Sequence, residues 1–476
     1  MKHVRRWTGL HGVLLSCALL SLIAASSARG EPGEWVFHGS VAEGGQIDAT
    51  RGPGDTIHLV SSKYYQFDAD GAKIAEESQG DEKQGSMDFP PAIAVCGDGS
   101  VHIVTRHGGD WSSGHDIRYR KRSPEGSWDV DYTFGERWAR NYVVGVGCAE
   151  GGHVAMFYSE VGGDVWGDLH LWEAGSGSAT DLGRLGGIWR ADTDARMRGD
   201  DGKIFLVSGK VDGDGRAYFL HAEAGSGLRD QLDGSKQEHS SGSGRRGFPD
   251  MVLDGTDTIH VTYGAEQTVY YNSYTFGGTR VHGSDIEIFS GLGTWHLSTG
   301  LSAVAASDDG MIVVAVGLKS DGSQGASDSD LLWNYSEDGG STWGAQQDTG
   351  RNTDGGEGRH RPRLAAIGNK FFLFYGDRGE SGISLATLEF EAEAAEEEEA
   401  APEVAPEPDP DPAPDAADLV EDMGEPAGDV ALPDAAADQE GDTAADGIVG
   451  PDGGDDTNAD TGVSAVSGGC GCNISL

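Results

Sequence analysis

Lysine and arginine are scarce in this 476-residue chain, 34 against 79 aspartates and glutamates, and from Glu391 to Leu476 there are none at all. A nucleic-acid-binding surface needs a basic footprint, so that class of partner is excluded. Long apolar runs are also missing. The longest, Val13 to Ala25, is short of the roughly 20 residues that span a bilayer. Nothing carries the periodicity of a long amphipathic helix. Cysteine is limited to five positions, Cys17, Cys96, Cys148, Cys470 and Cys472, too few for a disulfide-built scaffold.

What is present at the ends has a plain physical reading. Met1-Lys2-His3-Val4-Arg5-Arg6 precedes the apolar run, and Ser26-Ser27-Ala28 follows it. That order describes a secretory signal peptide over residues 1–28. Leu14-Leu15-Ser16-Cys17 is similar to a lipobox, but the apolar run continues past the cysteine, so export without lipidation is expected. Residues 392–467 are rich in Asp, Glu, Pro and Ala, as in Pro406-Glu407-Pro408-Asp409-Pro410. Such a segment cannot bury enough apolar surface to offset chain entropy, and a disordered acidic spacer is expected. Residues 468–476 contain Cys470-Gly471-Cys472, which resembles the start of a myxobacterial-type C-terminal sorting signal without its apolar helix and basic end. A secreted or cell-surface location follows as the expectation.

Between these ends, over residues 31–391, short β-branched runs alternate with Gly/Asp turns, which points to an all-β fold. Pairs of runs recur. Pro91–Val95, Cys96-Gly97-Asp98-Gly99-Ser100 and Val101–Val104 are echoed by Met251–Leu253, Asp254-Gly255-Thr256-Asp257 and Ile259–Tyr263. The second run of each pair begins at Ile57, Val101, Val154, Ile204, Ile259, Ile312 and Phe371, at steps of 44, 53, 50, 55, 53 and 59 residues. Four strands per unit at this period is the pattern of a β-propeller. Seven blades are expected, with six as the alternative. The seventh unit supplies three strands, and the fourth is sought in Glu34-Trp35-Val36-Phe37-His38, because a strand from the far end closes the ring and removes a bare edge.

Within this register, Ser336-Glu337-Asp338-Gly339-Gly340-Ser341-Thr342-Trp343 lies between the third and fourth strands of the sixth unit. It resembles the BNR repeat, or Asp-box, of sialidase-superfamily propellers at each defining position: Ser336, Asp338, Gly340, Thr342 and Trp343. Arg122–Trp128 and Phe67–Gly71 are degraded copies at corresponding places. The resemblance implies a structural turn, with its side chains on the backbone and its Trp between strands. The repeated histidines His58, His102, His153 and His260 are read in the same way, as satisfied polar groups of the sheet and not metal ligands. Asp212-Gly213-Asp214-Gly215 and Asp68-Ala69-Asp70-Gly71 are similar to calcium loops but lack the ligand series and terminal Glu. They are read as turns; no cofactor or metal is expected, with calcium as the alternative. Cys96 and Cys148 end the first strands of adjacent units, where a disulfide can form across blades.

A propeller gathers its A–B and C–D turns on one face and its D–A and B–C loops on the other. The A–B turns are Gly/Asp stubs, whereas the D–A approaches carry large functional side chains. Arg137 and Arg140 precede the third unit, Arg190 and Arg196 the fourth, and Arg245 and Arg246 the fifth. His296 precedes the sixth, Arg359, His360 and Arg361 the seventh, and His107 and Trp111 sit on a B–C loop. Guanidinium forks suit carboxylate or sulfate, and Trp faces suit sugar rings, so these residues are the candidate ligand-binding set and an anionic carbohydrate the candidate partner. The competing reading pairs the arginines with Asp88, Asp192, Asp194 and Asp250.

The family resemblance implies a catalytic set of three arginines, a Tyr nucleophile with a Glu, and an Asp acid/base. This chain lacks the Phe-Arg-Ile-Pro motif, and Tyr142, Tyr158 and Tyr263 are simply available. A lyase would use His107 or His296 as base. Catalytic residues are therefore unassigned, and three functions stay open: an anionic-glycan-binding module, an active glycosidase or polysaccharide lyase, and a non-catalytic adhesion or scaffold module. A monomer is expected.

Overall fold

Seven antiparallel sheets of four strands each form the described part of the chain, and each sheet is one blade of a β-propeller. The computed structural model describes residues 32–44, 46–78, 90–107, 116–134, 143–162, 165–185, 194–209, 217–239, 246–265, 268–292, 301–317, 329–353, 362–376 and 382–390. The expected leader, acidic spacer and Cys-Gly-Cys end lie outside them. The innermost strands of blades 1 to 7 are Asp48–Gly52, Ala92–Val95, Val144–Ala149, Asp194–Asp200, Arg246–Leu253, Leu301–Ala306 and Arg363–Ile367. Each of these touches its counterparts in the two neighbouring blades, and the last touches the first, so the ring is closed around a central channel.

Burial follows position within a blade. The second strands, such as Ile312–Gly317 in blade 6 and Lys370–Gly376 in blade 7, are apolar on both faces because both are covered by adjacent blades. The outer strands alternate, as in Trp128–Phe134 of blade 2, since one face meets solvent. Apolar clusters fill the seams: Trp35 and Trp333 meet edge to face at 5.7 Å between blades 7 and 6, and Phe67 meets Phe374 at 5.3 Å between blades 1 and 7.

Blade 7 is completed by Val36–Ala42, which pairs antiparallel with Ile383–Glu389. This strand begins two residues later than the expected Glu34-Trp35-Val36-Phe37-His38 and runs further. Its register shifts between Phe37 and Gly39, and Gly39 has φ of 74°, a left-handed conformation that favours glycine and accommodates such a bulge. One element was not read from the sequence at all. Blade 4 inserts a short helix, Leu228–Gly234, before its outer strand Gln237–His239 and anchors it by Leu228 and Leu232.

Candidate functional site

Aligning the blades on their strand pairing brings four charged residues to one register. Asp48 pairs with Val60, Arg196 with Val207, Asp250 with Thr262 and Arg363 with Phe374, in each blade three residues past the start of the second-strand apolar run at Ile57, Ile204, Ile259 and Phe371. All four are buried in the channel toward its D–A and B–C end. Asp48 Oδ2 accepts the Ile93 N–H of blade 2 at 3.1 Å, and its Oδ1 lies 3.3 Å from Arg363 Nε of blade 7. Asp250 Oδ2 accepts the Val304 N–H of blade 6 at 3.2 Å, and its Oδ1 lies 3.7 Å from Arg196 Nε of blade 4. The same staple is thus built twice: an arginine of one blade, an aspartate of the next and a backbone N–H of the third. Blades 7-1-2 and 4-5-6 are tied in this way. Arg198, two residues beyond Arg196, reaches across the channel to Asp48 Oδ1 at 3.8 Å and links the two staples.

Opposite charges this deeply buried hold each other by geometry and backbone bonds, since desolvation offsets much of the Coulomb gain. Burial pushes the Asp250 carboxyl up to about 6, against the pull of Arg196 and Arg198. An unfolded chain releases that proton near its ordinary value of 3.8. The protonated form is the one the fold favours, so this group's stabilisation is complete below pH 3.8 and is lost as pH rises through about 6. The displacement is worth on the order of 3 kcal/mol. Asp250→Asn should therefore gain stability relative to the native chain between pH 4 and pH 7, measured by urea unfolding at both; a constant difference would refute the reading.

The repeated histidines have both ring nitrogens occupied. His58, His102 and His260 stand at one register of the second strands, and each Nδ1 meets a third-strand tyrosine hydroxyl: Tyr64 at 2.8 Å, Tyr119 at 2.7 Å and Tyr271 at 2.7 Å. Their Nε2 atoms meet Thr56, Ser100 and Asp254, at 3.0, 3.0 and 2.9 Å. Burial holds His58 at about 4 and His102 at about 3, neutral at physiological pH. His153 differs: it is exposed and faces Glu173 at 3.1 Å.

Two of these tyrosines also receive the turn tryptophan of the following blade. Trp128 meets Tyr64 edge to face at 5.9 Å, and Trp343 meets Tyr271 at 4.9 Å. The turn carrying Trp343 is held by its own side chains. Asp338 accepts the Thr342 N–H and hydroxyl, both at 2.7 Å, and the Ser336 hydroxyl at 2.9 Å; Ser336 Oγ accepts the Gly340 N–H at 2.8 Å. Burial raises the Asp338 carboxyl, but these donors outweigh it and hold it below the usual carboxylate range. Gly340 has φ of 87°, and a β-carbon there would run into the Tyr271 ring. The turn is a wedge between blades 5 and 6.

Among the expected ligand residues, Arg196 is placed with its side chain, and it is a buried member of the second staple. Arg246 opens the innermost strand of blade 5 and His107 ends the second strand of blade 2. Arg137, Arg140, Arg190, Arg245, His296, Arg359, His360, Arg361 and Trp111 lie outside the described residues. Tyr158 and Tyr263 are fully buried, bonded to His170 at 3.2 Å and to Asp285 at 2.7 Å; enclosed tyrosines of this kind cannot meet a substrate from the channel mouth. Asp48 and Arg198 were missed: Asp48 joins its column only once the strands are paired, and Arg198 acts on a blade across the channel. Cys96 and Cys148 are joined by a disulfide, Cα to Cα 5.4 Å, between blades 2 and 3.

The opposite end of the channel holds a cavity of about 380 Å³. It is lined by A–B turn residues, among them Arg51, Cys96, Asp254 and Asp308, and Arg198 lies at its inner end. Arg198 thus stands between the charged staples and this second mouth.

No protein-family model matches the chain, and no curated protein matches it. Solved structures with a similar arrangement include a polysaccharide lyase of family PL25, an ulvan lyase bound to -[GlcA(1-4)Rha3S]-, at 14% identity and TM-score 0.46, covering 74% of this chain and 95% of that one. Penicillium chrysogenum α-L-arabinanase in complex with arabinobiose gives 12% identity and TM-score 0.41, over 74% and 98%. The α-L-arabinofuranosidase Arb93A of Fusarium graminearum gives 10% and 0.42, over 74% and 98%. At such identities and scores they carry no weight for the chemistry of this chain.

Proposed function

We propose that this chain is an exported, sialidase-like propeller that binds an anionic carbohydrate over the D–A and B–C mouth of its channel. The observation that carries the reading is the composition of the channel floor at that end. Arg196 and Arg363 stand there against Asp48 and Asp250, with Arg198 just behind them at the inner end of the A–B cavity. Counted together, these described channel residues carry one more guanidinium than carboxylates in a chain of formal charge −45, and a positive group within a low-dielectric channel focuses anions toward it. The innermost strands of blades 3, 4, 5 and 7 are entered from the sequence segments that hold Arg137, Arg140, Arg190, Arg245, Arg359 and Arg361. Read from the sequence as D–A loops, those segments are assigned to the same mouth. The staples account for Arg196 and leave the recognition itself to these residues.

Immobilised polysaccharides test it: a uronate polymer, a sulfated polymer and a neutral glucan, each at low and high salt. The native chain should retain the anionic polymers and release them in salt. Arg361→Ala should weaken binding about tenfold, the loss of one charge-assisted hydrogen bond. Equal retention of the neutral glucan, or an Arg361→Ala chain that binds like the native one, would remove the proposal.

A further inference from the structure

We propose that, once its disulfide is reduced, the Cys96–Cys148 pair joins His102 in holding one soft divalent metal ion, zinc foremost, at the seam of blades 2 and 3. One ligand atom from each residue lies within 4.8 Å of the other two, and all three side chains are buried. The Cα atoms of the cysteines are 5.4 Å apart. A zinc ion with its sulfurs at ~2.3 Å and nitrogen at ~2.0 Å needs ligand atoms roughly 3.5 Å from one another. Small side-chain movements reach that spacing.

The internal repeat identifies which nitrogen faces the sulfurs. Cys96 opens its A–B turn with its N–H on the Ser100 carbonyl, as Asp254 does with the Thr258 carbonyl in blade 5. From that position Asp254 Oδ2 reaches His260 Nε2 at 2.9 Å. By that correspondence Cys96 Sγ is assigned to His102 Nε2, which in the disulfide form meets Ser100 Oγ at 3.0 Å and exchanges that hydroxyl for the metal. The remaining ring nitrogen, Nδ1, is bonded to Tyr119 Oη at 2.7 Å, the outer contact that fixes the tautomer and orientation of a metal-ligating histidine. Blades 1 and 5 keep the His and Tyr but have no sulfur, so the triad is particular to this seam. Cys96 also lines the cavity at the A–B mouth, which gives the ion a route and a fourth coordination position open to solvent.

The chemistry balances. An external dithiol transfers two electrons and two protons to the Cys96–Cys148 bond and is itself oxidised to a disulfide. Zinc then displaces both thiol protons and bonds two thiolates and the neutral imidazole.

The test uses the full chain with Cys17, Cys470 and Cys472 replaced by Ser, so that the terminal dithiol cannot take the metal. Oxidised and dithiol-reduced samples, freed of reductant, are titrated with Co²⁺ and then Zn²⁺. The reduced chain should show a thiolate-to-cobalt charge-transfer band saturating at one equivalent and abolished by zinc, and the oxidised chain none. Cys148→Ser should lose the band, His102→Gln should weaken cobalt binding at least about tenfold and alter the ligand-field spectrum, and His260→Gln should leave both unchanged. A reduced chain that keeps its β circular dichroism but shows no band overturns the proposal. So does His102→Gln with unaltered spectrum and affinity, and so does loss of the fold on reduction, because the site requires the native seam.

Discussion

Asp48→Ala should lower the unfolding free energy by about 3–5 kcal/mol, seen as a shift of the urea midpoint at unchanged slope. Asp48 is fully buried, accepts the Ile93 N–H, and faces both Arg363 and Arg198. Its removal leaves the buried Arg363 guanidinium and one N–H between blades without their acceptor, and takes from Arg198 its partner at the inner end of the cavity. Truncating the arginine as well should recover part of the loss, so Asp48→Ala with Arg363→Met should cost less than the two single variants added together. Asp48→Asn should fall between, since an amide oxygen still accepts the Ile93 N–H but offers no charge. A loss below about 1 kcal/mol, or strict additivity in the double variant, would mean that the staple is bystander geometry.

Replacing both disulfide cysteines, Cys96→Ala with Cys148→Ala, should cost about 4 kcal/mol relative to the oxidised chain. The bond closes a loop across a sequence separation of 52 residues, and the chain-entropy relation gives roughly that value for a loop of this size. The consequence is a lower urea midpoint for a chain that still folds, because the seam around it keeps its apolar partners Val104, Val146 and Met156. If oxidised and cysteine-free chains unfold together, the native seam holds strain that cancels the entropic gain. The comparison also calibrates the metal experiment, since an ion bound to the reduced seam should restore part of the difference.

How far the fold could be read in advance depended on how local the signal was. In blade 2 the paired runs Pro91–Val95 and Val101–Val104 stand as the strands Ala92–Val95 and Val101–His107. Doubly buried second strands are mostly apolar, so runs beginning at Ile57, Val101, Val154, Ile204, Ile259, Ile312 and Phe371 were visible, each within one residue of the observed strand start. The blade count followed from them. The helix Leu228–Gly234 was not visible because it exposes all but two leucines and opens after Gly227, which looks like a turn.

The site was less legible for a different reason. Asp48, Arg196, Asp250 and Arg363 are charged, and charge in one sequence reads as surface or ligand contact. Only strand register shows that they share a level of the channel, and only distance shows that two pairs of blades use them alike. Arg198 was harder still, since it acts on a blade across the channel from its own. The histidines were correctly read as sheet residues, but their tyrosine partners and the tryptophans of the following blade became apparent only in space.

The origin of the outermost strand of blade 7 has a consequence for how the molecule comes into being. Among the described strands Val36–Ala42 is made first and must wait for Ile383–Glu389, the last of them. Once Ile383–Glu389 is made its outer edge is bare, and it can accept this strand from its own chain or from a neighbouring copy. Exchange of the opening strand between chains is the misassembly this topology invites, and crowding of nascent copies is the circumstance that favours it.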